Sequence, residues 1–193
     1  MKRVSVKKNA LIASVAALPI AAMVLSSVVS AAYFSGGRAA GSFSAYYHSS
    51  VSSYGYDNHY ETARTNWNGI SSKVKVSKTT TTSGDPDRYY VGTTGTSTLL
   101  GQIVPYKLSG GTYVEASPND KWAYSTATIY DNTMKSYKMT HSQIVSNATH
   151  EIGHTVSLAH SPSSSGPSVM KQGIQDIGPQ TYDKNELKAK WGN

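Results

Sequence analysis

His150-Glu151-Ile152-Gly153-His154-Thr155-Val156-Ser157-Leu158-Ala159-His160, followed ten residues later by Met170, is the most informative stretch of the chain. Positions four apart on a helix share a face, so His150 and His154 point the same way and can hold one metal ion. Zinc takes imidazole nitrogens at about 2.0–2.1 Å, and a catalytic zinc keeps three protein ligands and leaves a fourth position to water. His160 is the natural third ligand. It lies too far round a continuing helix to join the pair, so the chain must turn back after about Val156 to deliver it. Glu151 projects to one side of the ligands, where its carboxylate can act as base towards water without entering the coordination shell.

The residues around this set support a helix. Val145, Ala148, Ile152 and Val156, with the small Thr149 beside them, fall on one stripe, and His150 and His154 fall nearly opposite it. Thr140 and Gln143 stand at capping-box spacing, which predicts a helix from about His141 to Val156. The apolar face goes to a core and the histidines face a cleft.

His-Glu-x-x-His-x-x-Gly-x-x-His followed by a methionine turn is the signature of metzincin zinc peptidases, and this segment resembles that family. Ser161 directly after the third histidine, and Ser168-Val169-Met170 beyond it, resemble the matrixin branch. The likeness is strongest from about Trp122 to Trp191 and only general before that. One position departs from it: Ser157 stands where the family has glycine, at a sharp turn whose left-handed backbone costs a non-glycine residue roughly 1–2 kcal/mol. The branch whose methionine turn carries a nearby tyrosine ligand is not matched, because Lys171 and Gln172 follow Met170.

The resemblance implies an α+β domain: a twisted mixed β-sheet, an active-site helix, a methionine turn and a C-terminal helix. It implies a catalytic zinc on His150, His154 and His160, Glu151 as the catalytic base, and Met170 as an apolar floor beneath the imidazoles. Matrixin-like domains often carry structural calcium. Its ligands here are unassigned, and Asp85, Asp87, Asp131 and Asn132 are candidates by chemistry, with plain turn residues as the competing reading. A peptide or protein substrate is expected to lie extended along the strand that precedes the helix, which the resemblance makes an edge strand lining the cleft. Residues 171–180 would wall the pocket for the side chain after the scissile bond, where Ile174 and Ile177 hint at an apolar lining.

Residues 1–32 read as a secretory signal peptide. Lys2, Arg3, Lys7 and Lys8 form a positive start, residues 10–29 are apolar, and Val29-Ser30-Ala31 or Ser30-Ala31-Ala32 offers small residues for cleavage. An uncleaved membrane anchor is the competing reading, since the apolar run is near bilayer length. The formal charge of +7 owes much to this start; without its four basic residues, 14 basic face 11 acidic residues, which gives no support to a nucleic-acid partner. Residues 33–193 fit one domain, expected to be a secreted monomer with no membrane association after cleavage. The chain has no cysteine, so neither a disulfide nor a thiolate latch on the metal is available.

Elsewhere the signals are coarser. Residues 33–56 show no firm period and suit a mobile start or an irregular strand. Asn58 and Glu61 at capping-box spacing predict a helix ending near Asn68-Gly69, with Tyr60, Ala63 and Trp67 on one face. Strands are expected at 73–77, 89–91, 97–104, 113–116 and 126–130, separated by Gly and Pro turn signals. A final helix is expected over 184–191, capped by Asp183 and Glu186, with Leu187 and Trp191 facing inward.

Two other functions fit the same residues. A thermolysin-like site would keep His150 and His154 and take Glu186 or Asp176 as third ligand. A non-catalytic secreted zinc-binding or adhesion domain would hold metal and cut nothing; the fourteen tyrosines suit surface adhesion, and equally a peptide-binding cleft.

Overall fold

A computed structural model describes residues 32–193, so the signal-peptide reading lies, Ala32 apart, outside the described residues. In chain order the elements are β1 (Gly37–Arg38), β2 (Ser42–Tyr47), α1 (Ser49–Ser53), α2 (Asp57–Thr65), β3 (Lys75–Thr79), β4 (Asp87–Gly92), β5 (Gly101–Ser109), β6 (Thr112–Glu115), β7 (Lys121–Trp122), β8 (Tyr124–Tyr130), α3 (Asp131–Ser136), α4 (His141–Thr155) and α5 (Thr181–Trp191). Six strands form one sheet in the order β3-β2-β4-β8-β5-β6, and β1 pairs separately with β7. The first four strands of the sheet run parallel, and β5 is antiparallel to both β8 and β6. This is a mixed sheet with five helices among the described residues, consistent with an α+β fold. Among the described residues no helix is long and apolar enough to cross a membrane.

Alternation sets which side of the sheet is covered. Ala45 of β2, Val76 of β3, Tyr89 and Val91 of β4, and Ala127 and Ile129 of β8 are all buried. They form one core with Tyr60 and Ala63 of α2, Trp67 after it, and Ala148 and Ile152 of α4. Two of the large polar-tipped side chains in this core are satisfied: the Tyr60 hydroxyl donates to the Tyr90 carbonyl at 2.8 Å and the Trp67 indole to the Thr149 carbonyl at 2.9 Å, whereas the buried Tyr89 hydroxyl has no partner among the described residues. The Trp67 bond ties the end of α2 to the middle of α4.

Several expectations need correcting. The strand expected to receive a substrate, β8, lies inside the sheet between β4 and β5 and is not an edge. The edge beside α4 belongs to β5, whose residues 101–104 face β8 on one side while β6 begins opposite only at Tyr106. β5 starts later than expected and runs through Pro105. The ring is tolerated there because the Pro105 carbonyl accepts from Ala116 at 2.9 Å. Its nitrogen therefore faces the side where β6 has ended, and no ladder bond to β8 is lost. Asn58 does not cap α2, which starts at Asp57 without a side-chain cap. Glu61 turns instead to Arg64 and the Tyr47 hydroxyl. The capping box of α5 is Gln180 with Asp183, three residues earlier than expected.

The candidate calcium ligands each make contacts within the chain. Asp131 accepts from Tyr56 at 2.7 Å and pairs with Lys135, Asn132 donates to the Thr94 carbonyl, and Asp85 accepts from Tyr113 at 2.6 Å. Asp87 is fully buried, bonded to Arg38 at 2.8 Å and to the Ser125 amide at 2.8 Å. Burial pushes its carboxyl up to about 6 even against the pull of the Arg38 guanidinium. R38M leaves this carboxylate buried without its cation, which is expected to cost about 3–5 kcal/mol. Because the neutral acid is tolerated better, the loss measured by urea unfolding should be larger at about pH 8 than at about pH 5.

Candidate metal centre

Helix α4 starts at a complete capping box. The Thr140 hydroxyl accepts from the Gln143 amide at 3.3 Å, and the Gln143 side chain accepts from the Thr140 amide at 2.9 Å. Ala148, Ile152 and the capping Val156 are buried in the core, so the opposite face carries His150 and His154 towards the cleft. The expected boundaries, His141 to about Val156, are those observed, with Val156 as C-cap.

The turn that delivers His160 is a Schellman motif. Leu158 donates to the Gly153 carbonyl at 3.0 Å and Ser157 to the His154 carbonyl at 2.9 Å. Ser157 occupies the left-handed position with φ 71°. Its hydroxyl is buried with no hydrogen-bond partner. The strained turn is held from outside: the Ser157 carbonyl accepts from Phe34 at 2.8 Å, and the Val156 carbonyl accepts from the Trp191 indole at 2.8 Å. S157G removes both the left-handed strain and the orphan hydroxyl. It is expected to stabilise the fold by about 1 kcal/mol, raising Tm by about 2–4 °C in a domain of this size.

The turn places three imidazoles together. Their Nε2 atoms lie 3.1 Å apart for His150 and His154, 3.2 Å for His154 and His160, and 3.2 Å for His160 and His150. Three nitrogens each about 2.0–2.1 Å from a tetrahedral ion stand roughly 3.3–3.4 Å apart, close to these spacings. The tautomers agree. His150 Nδ1 donates to the Val169 carbonyl and His154 Nδ1 to the Leu158 carbonyl, both at 2.8 Å. Their Nε2 lone pairs therefore converge without a proton between them, an arrangement that suits a cation. Burial holds His150 down at about 4 and His154 well below the ordinary imidazole value, which keeps both in the ligating neutral form. This triad could bind a metal ion, and it is the only such cluster among the described residues.

Glu151 lines the same cleft, about 560 Å³ in volume, as the three histidines. It is buried, and burial alone pushes its carboxyl up to about 8; a cation on the imidazoles would draw it back down. Its neighbour across the cleft is Gly101 at the start of β5. A Cβ there would stand 2.6 Å from Glu151 Oε1, so only glycine lets the carboxylate lie against this strand.

Met170 is buried, and a Cβ on Gly153 would meet its sulfur at 2.3 Å, so α4 and the methionine segment pack backbone to side chain. Asp183 of α5 fixes that segment, a role its sequence position gave no sign of. It accepts from the Ser168 hydroxyl, from the Val169 amide at 2.9 Å and from the Gln180 amide at 2.8 Å. Since the Val169 carbonyl orients His150, α5 reaches the metal centre through one turn of chain.

The other expected site residues fall elsewhere. Glu186 accepts from the Ala32 amide at 2.8 Å, and Asp176 lines a separate, shallow depression, so neither joins the triad as a third ligand. Ile174 lies on the surface and Ile177 lines that second depression. The cleft wall in this segment is Gln172, Gly173 and Gln175, polar where an apolar lining was expected. No family model matches the chain, and no curated protein matches it.

Proposed function

We propose that this protein is a secreted zinc-dependent endopeptidase of metzincin, matrixin-like type. The observation that carries the proposal is the convergence of three imidazole Nε2 atoms in a cleft that is also lined by the buried carboxyl of Glu151. Imidazole donors suit zinc among the common divalent ions. A zinc ion, when bound, supplies Lewis acidity towards a carbonyl and lowers the pKa of water. Glu151 takes the proton from the attacking water and returns it to the leaving amine. The free edge of β5 at residues 101–104 offers backbone groups to an extended peptide, which would thereby add a strand to the sheet beside α4.

The test is digestion of unfolded casein by the zinc-loaded protein, with and without chelator. Expected are new fragments cut at internal bonds, their loss on chelation and their return with added zinc. An intact, zinc-replete protein that releases no fragments would sink the proposal.

A further inference from the structure

The cleft has two chemically different ends. Beyond His150, towards the start of α4, it is lined by Ser146, Asn147, Gln172 and Gln175; beyond His154 it is lined by Phe34, Pro105 and Pro118. The first end mixes these amides with the apolar Leu100 and Val169. The second is apolar, and its largest member comes from more than a hundred residues away in the chain.

Phe34 is held there by a strap of chain laid across the molecule. The Ala32 amide donates to Glu186 at 2.8 Å, and the Ala32 carbonyl accepts from Ala159 at 2.8 Å, beside His160. Lys190 places its ammonium on the Phe34 and Gly36 carbonyls, both at 2.7 Å. At Gly36 an added Cβ would stand 2.1 Å from the Asp120 carbonyl oxygen, so the strap is wedged against the loop before β7. The Phe34 ring lies stacked at 5.9 Å and 24° from His154, with Trp122 at 5.9 Å on a tilt of 55°. Its half-buried remainder faces the cleft.

We propose that Phe34 is a specificity-determining residue: with Pro105 and Pro118 it walls a subsite at the His154 end of the cleft that takes an apolar substrate side chain. This rests on the peptidase reading above. A ring fixed beforehand on both backbone sides loses little freedom when a side chain packs on it, so the contact area is realised as discrimination. Lys190 is a positioning residue, acting through the strap.

The test is cleavage of a peptide library by the zinc-loaded full chain, read as the ratio of kcat/KM for an apolar side chain over glycine at each position around the cut. The wild type should show an apolar preference at a position on one side of the bond. F34A should lower that ratio about tenfold, as loss of an aromatic contact does, and leave selectivity on the other side in place. K190M should lower the same ratio with Phe34 still present, and F34L should keep a preference for aliphatic over aromatic side chains. Zinc content of each variant, read by elemental analysis, should match wild type, which separates a lost wall from a lost metal site. Unchanged ratios in F34A or K190M, with cleavage intact, overturn this inference alone. A zinc-replete wild type that cleaves no peptide overturns the peptidase reading and this inference with it.

Discussion

E151Q is expected to bind zinc as tightly as the wild type and to lose about 10²–10⁴-fold in kcat. The amide is nearly isosteric with the carboxylate, so it fits against Gly101, where there is no room for anything larger. What it lacks is basicity. Burial pushes the Glu151 carboxyl up, so the substitution removes a group able to exchange a proton with bound water. Measuring bound zinc and single-turnover cleavage on the same sample separates the two roles. Retained turnover in a zinc-loaded E151Q would remove the base assignment, while loss of zinc would mean that the carboxylate belongs to the coordination shell.

Removing the metal is expected to lower stability as well as abolish activity. A ligand that binds only the folded chain at a thousand times its Kd contributes about 4 kcal/mol. For a domain of roughly 160 residues that corresponds to a fall in Tm of about 8–16 °C on chelation. H160A should show the same fall without chelator and no further change with it, whereas E186A should keep its zinc. The metal-free protein should also be acid-sensitive. The unfolded chain takes up protons on its histidines from about pH 6.5 downward, whereas burial keeps His150 neutral until about pH 4. The unfolded state thus binds more protons in that window, and stability falls as pH falls through it. A chelated protein whose melting is unchanged from the loaded one would show that the triad carries no metal of consequence to the fold.

What the sequence made legible was local. The i, i+4 pair, the Thr140–Gln143 cap and the forced turn at Ser157 all act within a few residues, and each stands where the spacing put it. The strand pattern was legible for the same reason at Tyr89, Val91, Ala127 and Ile129. Contacts between distant segments were not. Nothing near Asp183 announces that it braces Ser168 and Val169, and nothing near Phe34 announces His154. Pro105 misled because proline was taken as a stop, although its position where the neighbouring strand has ended removes the usual cost. The short α3 was missed because Asp131-Asn132 suits a turn as well as a first helical turn.

The bond between the Ala32 amide and Glu186 joins residues 154 apart, which has a consequence for the order of folding. Closing a loop of that length costs more chain entropy than the local turns of α4, so the strap that holds Phe34 is expected to fasten only after the helix carrying His150 and His154 has formed.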